Sequence, residues 1–258
     1  MRKMLLFITL LSALTMLLTA IVFGWGATAH RFINRKAIIN LPNSMASFKA
    51  DSLFYEAHAS DADNRKVMTD TSFFAEYWRH FIDIDHYANY ESMPHELQSV
   101  ITAYGRDNVR AWGTLPWATV MVVDSLTAQL ARRDPIAPFT AGDLGHYVGD
   151  AHQPLHCTAN YNPGGLHQRY ETNMIETYQN ELSVYPDSIH YVPSVVDFAF
   201  GYIYHSNSLV DMLVTDDNGA KSISGWDGNA PSGSRSGKPL VYGVGKCGTR
   251  DISPRFQG

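Results

Sequence analysis

The sequence predicts an all-α fold, a multi-helix single domain, on three observations. Apolar residues recur at helical spacing in several long windows, start and stop signals bracket those windows, and alternating strand patterns are scarce and weak. The chain has 258 residues, enough after any processing to bury one good core.

The N-terminus comes first. Arg2 and Lys3 precede an apolar run from Met4 to Phe23, and Val22 and Gly24 occupy the third and first positions before a cut. That is the charged, apolar, small-residue order of a secretory signal, so residues 1–24 are read as a cleaved signal peptide. The alternative is an uncleaved anchor, since roughly 20 apolar residues can span a bilayer. Cleavage leaves a secreted or periplasmic chain that begins at Trp25 with a free amino group available to a metal.

The first helix runs from Ala29 to Leu41, with His30, Ile33, Ala37 and Leu41 at helical spacing and Pro42 as its stop. A second long helix covers Leu115 to Arg133, with Pro116 in its first turn and Val120, Val123, Leu126 and Leu130 facing inward. A third opens near Thr140, carries His146 and Asp150, and breaks at Gln153-Pro154. A fourth begins at Ser194, where Asp197 completes a capping box, and runs through Phe200, Ile203 and Leu209 toward Leu213. From Asp216 the chain turns Gly- and Ser-rich, so residues 216–258 read as a tail and residues 25–215 as the domain.

Charge and composition exclude several classes. With 20 Lys+Arg against 25 Asp+Glu and a formal net charge of −5, the chain has no basic field for sequence-independent nucleic-acid binding. No glycine-rich phosphate loop precedes a helix, so no nucleotide cofactor is expected. Nothing points to a stable protein partner, and a monomer is the expectation. Two cysteines, Cys157 and Cys247, are too few for a thiolate zinc site or a disulfide framework. Cys157 reads as a small buried side chain or a partner of Cys247. The 11 histidines are the unusual count, and histidine is the commonest metal ligand.

Those histidines are patterned. His146 and Asp150 stand four apart, as do His167 and Glu171, so each pair shares one helix face. One such pair alone is better read as a surface ion pair or a satisfied buried histidine. Two pairs with His156 between them, in a stretch where Gly164-Gly165 turns the chain back, point instead to two metal sites. The ligands are all nitrogen and oxygen, which suits Zn²⁺ and is compatible with Mn²⁺ or Fe. Upstream, Asp61, Asp63, His80, Asp83 and Asp85 offer the same chemistry, each with a bland alternative as a solvated turn or a capping group.

Taken in order, Trp25, His30, the Asp61/Asp63 turn, His80, His146, Asp150, His156, His167 and Glu171 resemble the ligand series of the trinuclear zinc hydrolases. These comprise zinc-dependent phospholipase C and the single-strand nucleases of the P-one/S-one type. The resemblance spans Trp25 to about Tyr178 and implies the all-α fold of that family. It implies three zinc ions. One is held by Asp63, His80, His146 and Asp150, and a second by the amino nitrogen and carbonyl oxygen of Trp25, by His30 and by shared Asp150. The third, more exposed, is held by His156, His167 and Glu171.

The implied reaction is phosphodiester hydrolysis by a zinc-activated water, with Asp63 orienting or deprotonating it and Asp61 as runner-up. Glu171 and the short loop from His156 to His167 resemble the phospholipase C branch, which is the expected one. The spacing Trp25-Gly26-(x3)-His30 resembles the nuclease branch, where Phe81 and Asp83 correspond to residues that stack on and hydrogen-bond a base. The substrate is thus a phospholipid or a single-stranded nucleic acid. Thr28 stands where choline-binding phospholipases carry an acid. A non-catalytic secreted zinc-binding module is the reading from another class.

Overall fold

The computed structural model describes residues 25–66, 69–184 and 189–222. The expected signal peptide, Cys247 and all of the tail beyond Ser222 lie outside these residues. Helices and turns make up the described chain, with no strand among the described residues, so the all-α expectation holds. None of the helices among them is long and apolar enough to cross a membrane.

Six helices frame the fold: α1 (Ala27–Ile39), α2 (Ser52–Ala57), α3 (Leu115–Arg132), α4 (Ala137–Ala151), α5 (Val195–Ser208) and α6 (Val210–Lys221). Helix α4 is the hub, packing on α1, α3 and α5, while α1 also packs on α2 and α3 on α5. The core gathers between them around Tyr87, Leu115, Trp117, Tyr147, Phe200 and Ile203. Short helical turns and extended links between α2 and α3 complete its far side.

Local sequence explains the helix ends. Pro116 and Pro138 occupy first turns, where no intrahelical N–H is required. The Ser194 side chain accepts from the Asp197 amide at 3.3 Å, the expected cap of α5. Helix α4 opens a turn earlier than Thr140 and ends where Pro154 stops the run.

Three expectations are corrected. In α1 the buried stripe passes through Ala29, His30 and Asn34, while Ala37 is exposed, because the apolar face turns toward α4. In α3 the enclosed residues are Leu115, Ala118, Thr119 and Val122, and Leu130 is 42% exposed, because the second half of the helix projects into solvent. The C-terminal helix α6 continues past residue 216 to Lys221, and Asp217 within it is buried. Polar residues in place of an apolar stripe hid that helix.

Candidate metal centre

Helix α4 carries two of the clustered groups, and α1, the short helix Asp61–Asn64 and the turn Glu76–His80 bring others to it. His146 and Asp150, one turn apart, are fully enclosed, and His146 Nε2 lies 3.3 Å from Asp150 Oδ2. Helix α1 presents His30, whose Nε2 is 3.3 Å from Asp150 Oδ1 and whose ring stacks on His146 with centroids 3.6 Å apart. The short helix Asp61–Asn64 supplies Asp63, 3.5 Å from His146 Nε2. The turn Glu76–His80 supplies His80, whose Nδ1 is 2.9 Å from Asp150 Oδ2 and 3.6 Å from Asp63 Oδ1.

The second cluster is built after the Pro154 break. His156 Nε2 is 3.1 Å from His167 Nε2 and 3.6 Å from Glu171 Oε2, and His167 Nε2 is 2.7 Å from that same oxygen. His167 and Glu171 sit in the helical stretch 166–178, whose Arg169–Met174 portion is a π-helix. Such widened turns recur at functional sites. Three groups are thereby able to hold a metal ion: His30/His146/Asp150, Asp63/His80/His146 and His156/His167/Glu171.

Proton bookkeeping shows that these groups fit a cation. His146 Nδ1 donates to the Ala59 carbonyl and His156 Nδ1 to the His80 carbonyl, each at 2.7 Å. A carbonyl only accepts, so each ring commits a hydrogen there and turns Nε2 toward the clusters. Burial lowers His146, but Asp150 and Asp63 outweigh it and raise the ring to about 10, so a cation would displace a proton from its Nε2. His30 is wholly buried with neither ring nitrogen hydrogen-bonded, and Asp150 Oδ1 beside it has no hydrogen bond either. Burial and the neighbouring His146 push the His30 imidazole down to about 4, so it is neutral at pH 7 and its lone pair is unused. Burial likewise lowers His167 to about 4. Ring nitrogens converging on a carboxylate whose Oδ1 lacks a donor suit a divalent cation.

The carboxylates divide by environment. Burial alone raises Asp63, but the hydrogen bond and charge of His146, with Lys66, outweigh it and hold the carboxyl well below its ordinary range. Asp150 is also held well below, its burial overcome by His146 and His156. Glu171 goes the other way: burial raises it to about 7.

Asp61 and Asp63 differ in where their side chains lie. Asp61 pairs outward with His58 at 2.7 Å, whereas Asp63 points into the cluster and is 5% exposed. Trp25 anchors beside the cluster through its side chain, the indole N–H donating to the Gly149 carbonyl at 2.7 Å and the ring lying 5.4 Å from Tyr170. Gly26 then passes so close to the 166–178 stretch that a Cβ there would stand 2.7 Å from Thr172 Oγ1. The N-terminal residue of the described chain is thus wedged between the ends of the two ligand-bearing helical stretches.

A cavity of about 230 Å³ opens onto the clusters. Its lining brings Lys66, His80, His156 and His167 together with Tyr77, Trp78, Phe81, Tyr161 and Asp83. Phe81 and Asp83 are held there by backbone pairing of the extended link 81–83, with Ile82 N–H donating to the His156 carbonyl and Asp83 N–H to that of Trp112. Burial and Asp85 raise the Asp83 carboxyl to about 7.

Sequence reasoning missed several of these residues. Lys66, with its Nζ 2.6 Å from Asp63 Oδ1, carries a usable signal in its spacing of three from Asp63. Glu76, 3.5 Å from His80 Nε2, also carries a usable signal in its spacing of four from His80, whereas Gln153, which donates to Glu171 at 3.2 Å, has none. Trp78 lines the cavity. Tyr55 and Tyr147 are buried, with Tyr147 donating to Glu76. Cys157 is fully buried, as expected of a small apolar side chain, and its thiol faces the Ala151 carbonyl.

Comparison with known proteins finds no matching family model, no matching curated protein and no matching solved structure.

Proposed function

We propose that the protein is a secreted, zinc-dependent phosphodiester hydrolase. One observation carries the reading: three buried His/carboxylate groups, two of them sharing His146, lie together, and His80, His156 and His167 from two of them line one cavity with Lys66. Zinc bound to these residues supplies Lewis acidity and lowers the pKa of a coordinated water toward neutrality. The donor types favour zinc; because two groups share His146, whose other nitrogen is committed to the Ala59 carbonyl, the three ions implied by the resemblance need Trp25 or a shared Asp150 as a further ligand.

The remaining roles belong to the chain. Lys66 places a cation where non-bridging phosphate oxygens need one. Asp63, kept ionised at neutral pH, accepts a proton or orients the attacking water. The aromatic residues of the lining receive the group esterified to phosphate and exclude water from it.

On substrate, Glu171 and the short 156–167 loop keep the phospholipase C-like branch first. The single-strand nuclease branch is the second reading, and a specific observation favours it. Tyr77, Trp78 and Phe81 present flat faces for stacking beside Asp83, whose carboxyl can hydrogen-bond a base edge. Turnover of bis(p-nitrophenyl) phosphate, abolished by a chelator and restored by Zn²⁺, tests the enzyme claim. A fully metal-loaded protein without turnover is a zinc-binding module instead. Parallel assays on mixed phospholipids and on single-stranded DNA and RNA separate the two branches.

A further inference from the structure

Behind the His167/Glu171 pair lies a second, differently built cluster. Arg169 falls between them in sequence, and two residues turn a helix by roughly 200°, so its side chain leaves from the opposite face. There its guanidinium grips Asp217 of α6 with two bonds, Nε at 3.0 Å and Nη2 at 2.7 Å. Its remaining nitrogen, Nη1, donates to the Gly164 carbonyl at 2.8 Å. Asp217 is 2% exposed and also receives Lys221 Nζ at 2.5 Å.

The same cations lie on the turn that delivers His167. Gly164 and Gly165 both have left-handed backbones, with φ of 57° and 76°. A Cβ at Gly164 would stand 3.1 Å from Lys221 Nζ, and one at Gly165 3.1 Å from Arg169 Nη1. The turn therefore closes directly beneath the clasp. A bidentate fork fixes orientation as well as distance, which a hydrophobic contact at this place does not.

We propose that Arg169 and Asp217 are positioning residues for the His156/His167/Glu171 group, so that α6 works as a latch on that one metal site; the inference rests on the metal reading above. Removing one partner leaves a buried charge uncompensated and frees both the 163–165 turn and the face opposite Glu171. The other two groups are built from α1, α4 and the 61–80 region and do not touch the latch.

The test is a Zn²⁺ titration of the purified protein and its variants against a chromophoric chelator, with melting of the metal-free proteins in parallel. Asp217→Asn is expected to weaken one of the bound ions by ~10- to 100-fold and leave the others unchanged. Arg169→Lys, which keeps the charge and loses the fork, is expected to weaken the same ion. Glu171→Gln identifies that ion, and adding Asp217→Asn to it should weaken it by less than the product of the two single effects. The apolar pair Arg169→Met with Asp217→Leu keeps the packing without the fork. If it melts like wild type and still binds that ion more weakly, positioning is separated from stability. Wild-type affinity for every ion in Asp217→Asn overturns the latch, and so does an equal loss of all ions together with a lowered metal-free melting point. A wild-type protein that binds no Zn²⁺ overturns the metal reading itself.

Discussion

Glu76 stands 3.5 Å from His80 Nε2, on the side of the ring turned away from the carboxylate cluster that Nδ1 faces. The carboxylate is itself held in place: Tyr147 donates to it and Arg65 pairs with it at 3.0 Å. Burial raises Glu76, but His80, Tyr147 and Arg65 outweigh that and bring it down to about 2. It is thus an anion at any working pH and favours the tautomer that leaves Nδ1 as the metal-facing lone pair.

Glu76→Gln should therefore weaken the ion held with His80 by ~10- to 100-fold. Chelator competition measures it. Unchanged affinity would show that the backbone alone orients the ring.

The cavity gives a pH prediction through Asp83. Its folded-state pKa of about 7 lies above the ordinary carboxyl value of 3.8. The folded state then holds more protons than the unfolded state between those values, so this residue makes stability fall as pH rises from about 4 to 7. Asp83→Asn removes the loss. The variant should melt above wild type at pH 8 and near it at pH 4, as followed by circular dichroism. An equal difference at both pH values would contradict the buried-carboxyl origin.

A third expectation concerns the N-terminus. The indole of Trp25 is fixed on the Gly149 carbonyl, next in sequence to Asp150. A free amine at that place can join His30 in holding an ion. Protein carrying one extra residue before Trp25 should bind the His30-side ion more weakly and keep the others. Zinc per chain, measured together with the N-terminal sequence, checks this.

The fold class and four of the nine candidate ligands were legible because both depend on helical period. His146/Asp150 and His167/Glu171 announce themselves by a spacing of four, and that arithmetic survives into the structure. Partners that converge through tertiary packing carry no such period. Gln153 reaches Glu171 across 18 residues and nothing local marks it, whereas Glu76 stands four before His80 and carried the same spacing signal. Helix α6 was hidden for a related reason: its contribution is one buried ion pair, Asp217 with Arg169, and not an apolar stripe. The burial errors in α3 have a simpler cause. A pattern gives the direction of a face but not how far along the helix its neighbours extend.

The sharpest test of the chemistry compares Asp63 with Asp61, two residues apart and alike in sequence context. Asp63 is buried, ionised and within 3.6 Å of both His80 and His146, with Lys66 on the same oxygen. Asp61 faces outward onto His58 and touches none of these groups. If Asp63 serves the attacking water, Asp63→Asn should lower kcat on bis(p-nitrophenyl) phosphate by ~10²-fold or more. Asp61→Asn removes only a partly exposed ion pair and should change kcat little. Because Asp63 can also hold metal, its variant must be assayed at saturating Zn²⁺ with bound metal counted. A large kcat loss at full occupancy supports the proton-handling role. Restoration of kcat by excess Zn²⁺ would reduce Asp63 to a ligand, and a larger loss in Asp61→Asn would move the role to the outer residue.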